Sequence, residues 1–213
     1  MGRLKNGING PFKGKIGTVV GINWRGEEIV RSAPGLWTKP PTPAQLKQRK
    51  VMAMISSWLK PLKELILIGY QVYSGKKTPM NMAISFTMKE ALKVEDGVKT
   101  IDYPKAVFSR GELIISWIIE ILTLVDALVH IKWENTAPST FNKETDLANF
   151  IIYNPVKEQF VTFENMALRS DKEAGLQLPK NFSGDFVHCY MHYVSEAGDS
   201  VSTTNYLGEI QIG

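Results

Sequence analysis

The stretch GDFVHCYMHYVS, residues 184–195, decides how this chain is read. At helical spacing, His188 and His192 would stand one turn apart on one face and could chelate a metal ion. As a strand, the same residues share a face about 13 Å apart, at about 3.3 Å per residue, with Cys189 on the opposite face. The segment alternates and is rich in aromatic and β-branched residues, which is strand chemistry. His188 and His192 are therefore expected to be partly buried sheet histidines. His130 would reach them only from a neighbouring strand. Cys189 has no general base near it in sequence, so no nucleophile is assigned. The expected metal ligands and catalytic residues are none.

Similar runs lie on either side: ELIISW (112–117), DALVHIKW (126–133), LANFIIYN (147–154), EQFVTFEN (158–165) and SVSTTNYLGEIQI (200–212). Turn chemistry separates them. Seven or so short strands within residues 96–213 predict a β-sandwich, with Trp117 and Tyr190 in the core between facing sheets. This region resembles a fibronectin type III or immunoglobulin-like module, a resemblance that implies fold and carries no activity. Glu112, Glu120, Asp126 and Glu134 are expected on a charged outer sheet face.

Upstream, residues 41–95 read as helical. Thr42 is placed to cap a helix, Pro43 to begin it, and Gln45 to reciprocate the cap. The helix continues to about residue 74 with a kink near Trp58 to Lys60, because Pro61 lacks an N–H. Thr78-Pro79 opens a second helix, PMNMAISFTMKEALK. Met52, Met54, Ile55, Trp58, Leu59, Leu62, Leu65 and Ile66 form the expected buried stripe, the methionines filling gaps rather than binding a ligand.

Residues 1–40 differ in kind. GPFKGKIGTVVGINWRGEEIVRSAPG, residues 10–35, holds six glycines in 26 positions. A phosphate loop fails on Gly10-x-x-x-Gly14-Lys15, which is one residue short and has Ile16 where Ser or Thr is needed. Gly14, Gly17 and Gly21 do not make a dinucleotide fingerprint, and no βαβ unit surrounds them. Two β-prone runs around Arg25-Gly26 predict a hairpin, so the glycines shape backbone. SAPGLWTKPPTP, with four prolines, marks a linker.

The chain of 213 residues is 44% hydrophobic and 22% charged, with a mean hydropathy of −0.11. One cysteine excludes an intramolecular disulfide and a CxxC zinc site. The basic start has no apolar stretch behind it, and the longest apolar run, 113–125, is short for a bilayer and holds Glu120. A membrane span is not expected. The default location is the cytoplasm, or outside the cell by a non-classical route if the protein forms a fibre or particle. Residues 1–95 hold 16 Lys/Arg against 5 Asp/Glu, a net +11, whereas residues 96–213 hold 9 against 16, a net −7. Such a split implies an electrostatic partner for each half. Lys13, Lys15, Arg25, Arg31 and the KQRK run at 47–50, with Trp24 and Trp37 as stacking surfaces, could meet nucleic acid. The acidic half of another copy is the favoured partner.

The signature GKIGTVVGINWRGEEIVRSAP, followed by TPAQLKQRK and a sandwich ending VSTTNYLGEIQI, resembles a family of uncharacterised Bacteroidota proteins of about this length. The shared elements are Gly14-Lys15, Gly17, Gly21, Trp24, Gly26, Val30-Arg31-Ser32, Pro34, Gln45 and Gln48-Arg49. The resemblance implies no activity. The sequence thus predicts an α+β protein with a Gly-rich β arm, a helical pair and a C-terminal sandwich. It is expected to be non-enzymatic, without cofactor or small-molecule substrate, associating head to tail into a filament or other assembly. Self-association is assigned to Gly14, Lys15, Gly17, Val19, Val20, Gly21, Ile22, Trp24, Arg25 and Arg31, because a lone hairpin is marginal and needs a sheet to join. A monomeric module binding glycan or protein, a virus-like particle component and a nucleic-acid binder are the alternatives.

Overall fold

The computed structural model describes residues 2–3, 10, 12–24, 26–35, 40–73, 77–95 and 97–213, so Arg25 and Trp37 lie outside the described residues. Two compact units divide the chain, Met1–Gln45 and Leu46–Gly213. The first is a four-stranded antiparallel sheet of β1 (Gly2–Arg3), β2 (Gly14–Ile16), β3 (Val19–Trp24) and β4 (Glu27–Ser32), in the order β1-β4-β3-β2. Its centre is the hairpin that the sequence predicts, with Val19 opposite Ser32 and Trp24 opposite Glu27.

Helix α1 (Pro43–Leu59) starts at the expected capping box. The Thr42 backbone N–H donates to Gln45 Oε1 at 3.0 Å, and the Gln45 N–H donates to Thr42 Oγ1 at 3.3 Å. Pro61 ends it as its missing donor requires: a 3-10 turn over Lys60–Leu62 leads into α2 (Lys63–Gly69). Helix α3 (Pro79–Glu90) opens on Thr78, whose hydroxyl accepts from the Asn81 N–H at 3.2 Å. The buried stripe runs through Ile55, Trp58, Leu59, Leu62, Leu65 and Ile66. Met54 packs beside it, but Met52 is a correction: it stands one residue past the half-buried Val51, turned off the stripe, and is exposed. A hairpin of β5 (Leu92–Glu95) and β6 (Val98–Ile101), absent from the sequence reading, follows.

The sandwich is immunoglobulin- or fibronectin III-like. Its strands are β7 (Trp117–Leu124), β8 (Leu128–Glu134), β9 (Leu147–Asn154), β10 (Gln159–Leu168), β11 (Glu173–Gln177), β12 (Phe186–Val194) and β13 (Asn205–Gln211). They form one sheet in the order β10-β9-β12-β13 and another in the order β11-β8-β7. Val129, Ile131, Trp133, Phe150, Ile152 and Met191 are among the side chains buried between them. The opposite face of the four-stranded sheet is also covered: Ile151, Tyr153 and Tyr190 pack with Ile55, Trp58 and Leu59 of α1. Strands β9 and β12 are consequently buried on both faces.

Three sequence expectations are corrected here. Trp117 is 72% exposed, and the tryptophan between the sheets is Trp133. ELIISW contributes only its last residue to a strand, because β7 begins at Trp117. Tyr190 is buried, but against the helices and not between the sheets.

One end of the sandwich is organised by Arg169, in the turn between β10 and β11. It is 1% exposed, and its Nε donates to Asp146 Oδ2 at 3.1 Å. Nη1 reaches Ser116 Oγ at 3.2 Å, Nη2 reaches the Ile114 carbonyl at 2.7 Å, and the guanidinium lies 3.6 Å from the Tyr193 ring centroid. The Arg169 carbonyl accepts from Trp133 Nε1 at 3.1 Å and Asn135 Nδ2 at 2.8 Å. A buried pair of this kind contributes little over an apolar replacement, yet losing one partner strands a charge. Asp146→Ala is expected to cost about 3–5 kcal/mol, read as a lower urea midpoint. An unchanged midpoint would show that Asp146 is not the counter-charge. Thr42→Ala is expected to cost roughly 1 kcal/mol through loss of the cap, read by the same melt.

Candidate functional site

The arm residues occupy the first unit's sheet. Gly14 and Lys15 lie on β2, opposite Gly21 and Val20; Gly17 sits in the β2–β3 turn at φ 58°; Arg31 faces Val20 from β4. Lys15, Val20 and Arg31 are thus cross-strand neighbours. Val19, Val20 and Ile22 are half-buried, Lys15 and Arg31 are exposed, and Trp24 is 46% exposed. Gly21 is buried because the chain doubles back over it: a Cβ there would run into the carbonyl oxygen and ring of Phe12. Glycine at 21 is what lets Phe12 lie against the sheet. The turn closing β3 and β4 is fixed by Asn23, whose Oδ1 accepts from the Gly26 N–H at 3.1 Å and whose Nδ2 donates to Glu28 at 2.7 Å. Strands β1 and β2 are the edges of this sheet.

The second unit presents an apolar surface around Trp117, the residue that the sequence places in the core. Strand β7 is one edge of the three-stranded sheet, β11 the other. Ile118 and Ile121 turn inward, but Trp117 is 72% exposed, Ile119 64% and Val125 82%, with Leu122 and Leu124 also exposed. The pairing with β8 skips Ile119, a bulge that pushes this side chain outward and leaves Glu120 to Leu124 as the regular edge. Glu120 reaches Lys132 at 3.5 Å across the sheet, so its carboxylate is shared with an exposed cation. The longest apolar run of the chain therefore lies on the surface. Its sequence signal was there to use, since a run apolar at successive positions presents apolar groups on both faces of an edge strand.

The candidate chemistry is structurally occupied. Cys189 faces the core between the sheets, and burial pushes its thiol up to about 12. His188 stacks on Tyr103 with ring centroids 4.5 Å apart, and its Nδ1 is 2.9 Å from the Tyr206 hydroxyl. Burial holds its pKa below the ordinary histidine value. His130 lies in the other sheet, 3.6 Å from Glu173. His192 is fully enclosed beside Asn149, its Nδ1 without a hydrogen-bond partner. Among the described residues no three His, Cys, Asp or Glu side chains are grouped to hold a metal ion.

His192 gives a pH prediction. Burial lowers its pKa to about 4 from 6.5, so between those values the unfolded chain binds a proton that the folded chain refuses. Its contribution is complete above pH 6.5 and is lost as the pH falls toward 4, by about 3 kcal/mol. Urea midpoints at neutral pH and near pH 4 should differ more for the wild type than for His192→Gln. Equal differences would show that His192 is not the group responsible.

Among the described residues, no helix is long and apolar enough to cross a membrane. No curated protein matches the chain. A family model does match, over residues 11–208, a span that takes in the hairpin β3–β4, the three helices and the sandwich into its last strand. With nearly all of its length covered by that match, the chain belongs to the family of unknown function DUF6266.

Proposed function

We propose that this is a non-enzymatic structural protein whose copies associate head to tail, the first unit of one copy pairing with the β7 edge of the next. The observation that carries the reading is the exposed apolar edge strand, with Trp117, Ile119 and Val125 at its surface. Exposed edges of this kind are templates for strand addition, and contiguous apolar surface marks an interaction site. Charge selects the partner. Residues 1–45 hold seven Lys/Arg and two Asp/Glu, while the β7 region carries Glu112, Glu120 and Glu134. The β2 edge, with Lys15 and Ile16 exposed, fits Glu120 to Leu124 in sign and in hydropathy. Contact between two different surfaces repeats into a filament, or closes into a ring. The self-association residues of the arm, Gly14 to Arg31, belong to this proposal, as do the Bacteroidota source and the signature from Gly14 to Pro34. The exposed Lys47 to Lys50 run supports nucleic acid as the competing partner.

Surface charges guide approach but are screened within about 8 Å at physiological salt. Salt is therefore expected to slow assembly more than it dissolves a finished assembly. Light scattering and negative-stain microscopy of the full chain should show higher-order species growing with concentration. Ile119→Lys, at an exposed position, and Lys15→Glu should each suppress them without changing the circular dichroism spectrum. A wild-type chain that stays monomeric at high concentration, or an Ile119→Lys variant that assembles normally, contradicts the proposal.

A further inference from the structure

Helix α1, strand β6 and the β9–β10 hairpin enclose a cavity of about 400 Å³ that opens to solvent. Four aromatic side chains line it: Trp58, Tyr103, Tyr153 and Phe160. They are mutually tilted rather than stacked flat, with centroids 4.5 Å apart for Tyr153–Phe160, 5.2 Å for Tyr103–Tyr153 and 5.6 Å for the edge-on Trp58–Tyr153 pair. Trp58 and Tyr153 are buried, and Tyr103 and Phe160 are half-buried walls. Ser57 and Glu158 are the exposed polar side chains of its lining, and Thr100 is half-buried. An aromatic core would ordinarily close over such a space, since protein interiors pack at crystal density. Its volume instead lies in the range of small-molecule sites.

Four features narrow the ligand. Aromatic side chains receive the apolar face of a ring. Ser57 and Glu158 supply a hydroxyl and a carboxylate that exchange hydrogen bonds with ligand hydroxyls, while Thr100, whose hydroxyl donates to Glu95 at 3.3 Å, can only accept. Among the described residues no Lys, Arg or His lines the cavity, and Glu158 disfavours an anion. The fourth feature separates a polyol from an organic cation, which an aromatic cage with a carboxylate would otherwise also suit. Trp58 Nε1–H is buried without a well-formed hydrogen bond, the Tyr153 hydroxyl being at most a weak partner. A buried donor wants an acceptor oxygen, which a sugar carries and a quaternary ammonium does not. We propose that this cavity binds a neutral pyranose unit of a glycan. The site lies wholly within the second unit and stands apart from the self-association reading.

The test is calorimetric titration of the full chain with neutral hexasaccharides built from glucose, mannose, xylose and N-acetylglucosamine. Choline and sialyllactose serve as the cationic and anionic probes. At least one neutral hexasaccharide is expected to saturate, quenching tryptophan fluorescence as it does so. Ser57→Trp, which puts a bulky ring at an exposed position of the lining, should abolish binding, and Glu158→Gln should weaken it roughly 10-fold. Trp58→Phe, keeping the ring but not the donor, should weaken binding as well. Ser57 and Glu158 are exposed, so these variants report on the site even if Trp58→Phe fails to fold. The proposal is overturned if no neutral hexasaccharide binds, if binding survives Ser57→Trp, or if choline or sialyllactose binds there instead. Light scattering of Ser57→Trp should match the wild type, so this result and the assembly result can fail separately.

Discussion

The Arg169–Asp146 pair holds the sandwich in register at one end. A guanidinium removed from water must satisfy its donors, and Arg169 does so with Asp146, Ser116 and the Ile114 carbonyl while lying over Tyr193. Those partners come from the four-stranded sheet through Tyr193, from the loop that leads into β9 through Asp146, and from the segment that enters β7. Its own carbonyl then fixes Trp133 and Asn135 at the end of β8. One residue thus ties the crossing from β10 to β11 to the approach of β7. With residues 114 and 116 anchored there, the apolar run that follows starts its strand at Trp117 and runs along the sheet edge.

The helices determine which surface remains open. By covering Ile151, Tyr153 and Tyr190, they turn the four-stranded sheet into a middle layer. The three-stranded sheet keeps an uncovered face and a β7 edge that Gly213 approaches at Leu124, and the exposed apolar groups of residues 117–125 collect there. The same helical cover builds the aromatic cavity, because Trp58 of α1 meets Tyr153 and Phe160 of the β9–β10 hairpin. The exposed apolar edge and the aromatic cavity are therefore separate consequences of one layered arrangement within the second unit.

Local chemistry was legible in the sequence. Thr42 with Gln45, Thr78 before Pro79, Pro61 inside a helix and the turn at Gly26 each act over a few residues, and each is found where its spacing predicts. The strand reading of residues 184–195 also stands, with His188 and His192 on the face opposite Cys189. What escaped was tertiary. Arg169 and Asp146 are 23 positions apart, and nothing in either neighbourhood marks a buried charge. Trp117 and Trp133 both close β-like runs, and only the order of strands decides that one is at an edge and the other inside. In the arm, the sequence explained the turn at Gly26. It did not show why Gly21 is needed, since Phe12 approaches it only once the sheet has formed.

The central claim is that copies join along the outer edge of β7. Hydrogen–deuterium exchange of the full chain, dilute and concentrated, reads that edge directly. Unpaired edge amides exchange readily, whereas amides in a strand ladder are protected. The account predicts that peptides covering Trp117 to Leu124 and Gly14 to Ile16 gain protection together as the protein is concentrated, while β9 and β12, already enclosed, do not change. Exchange at β7 that stays fast in concentrated protein containing higher-order species would show that the copies meet elsewhere.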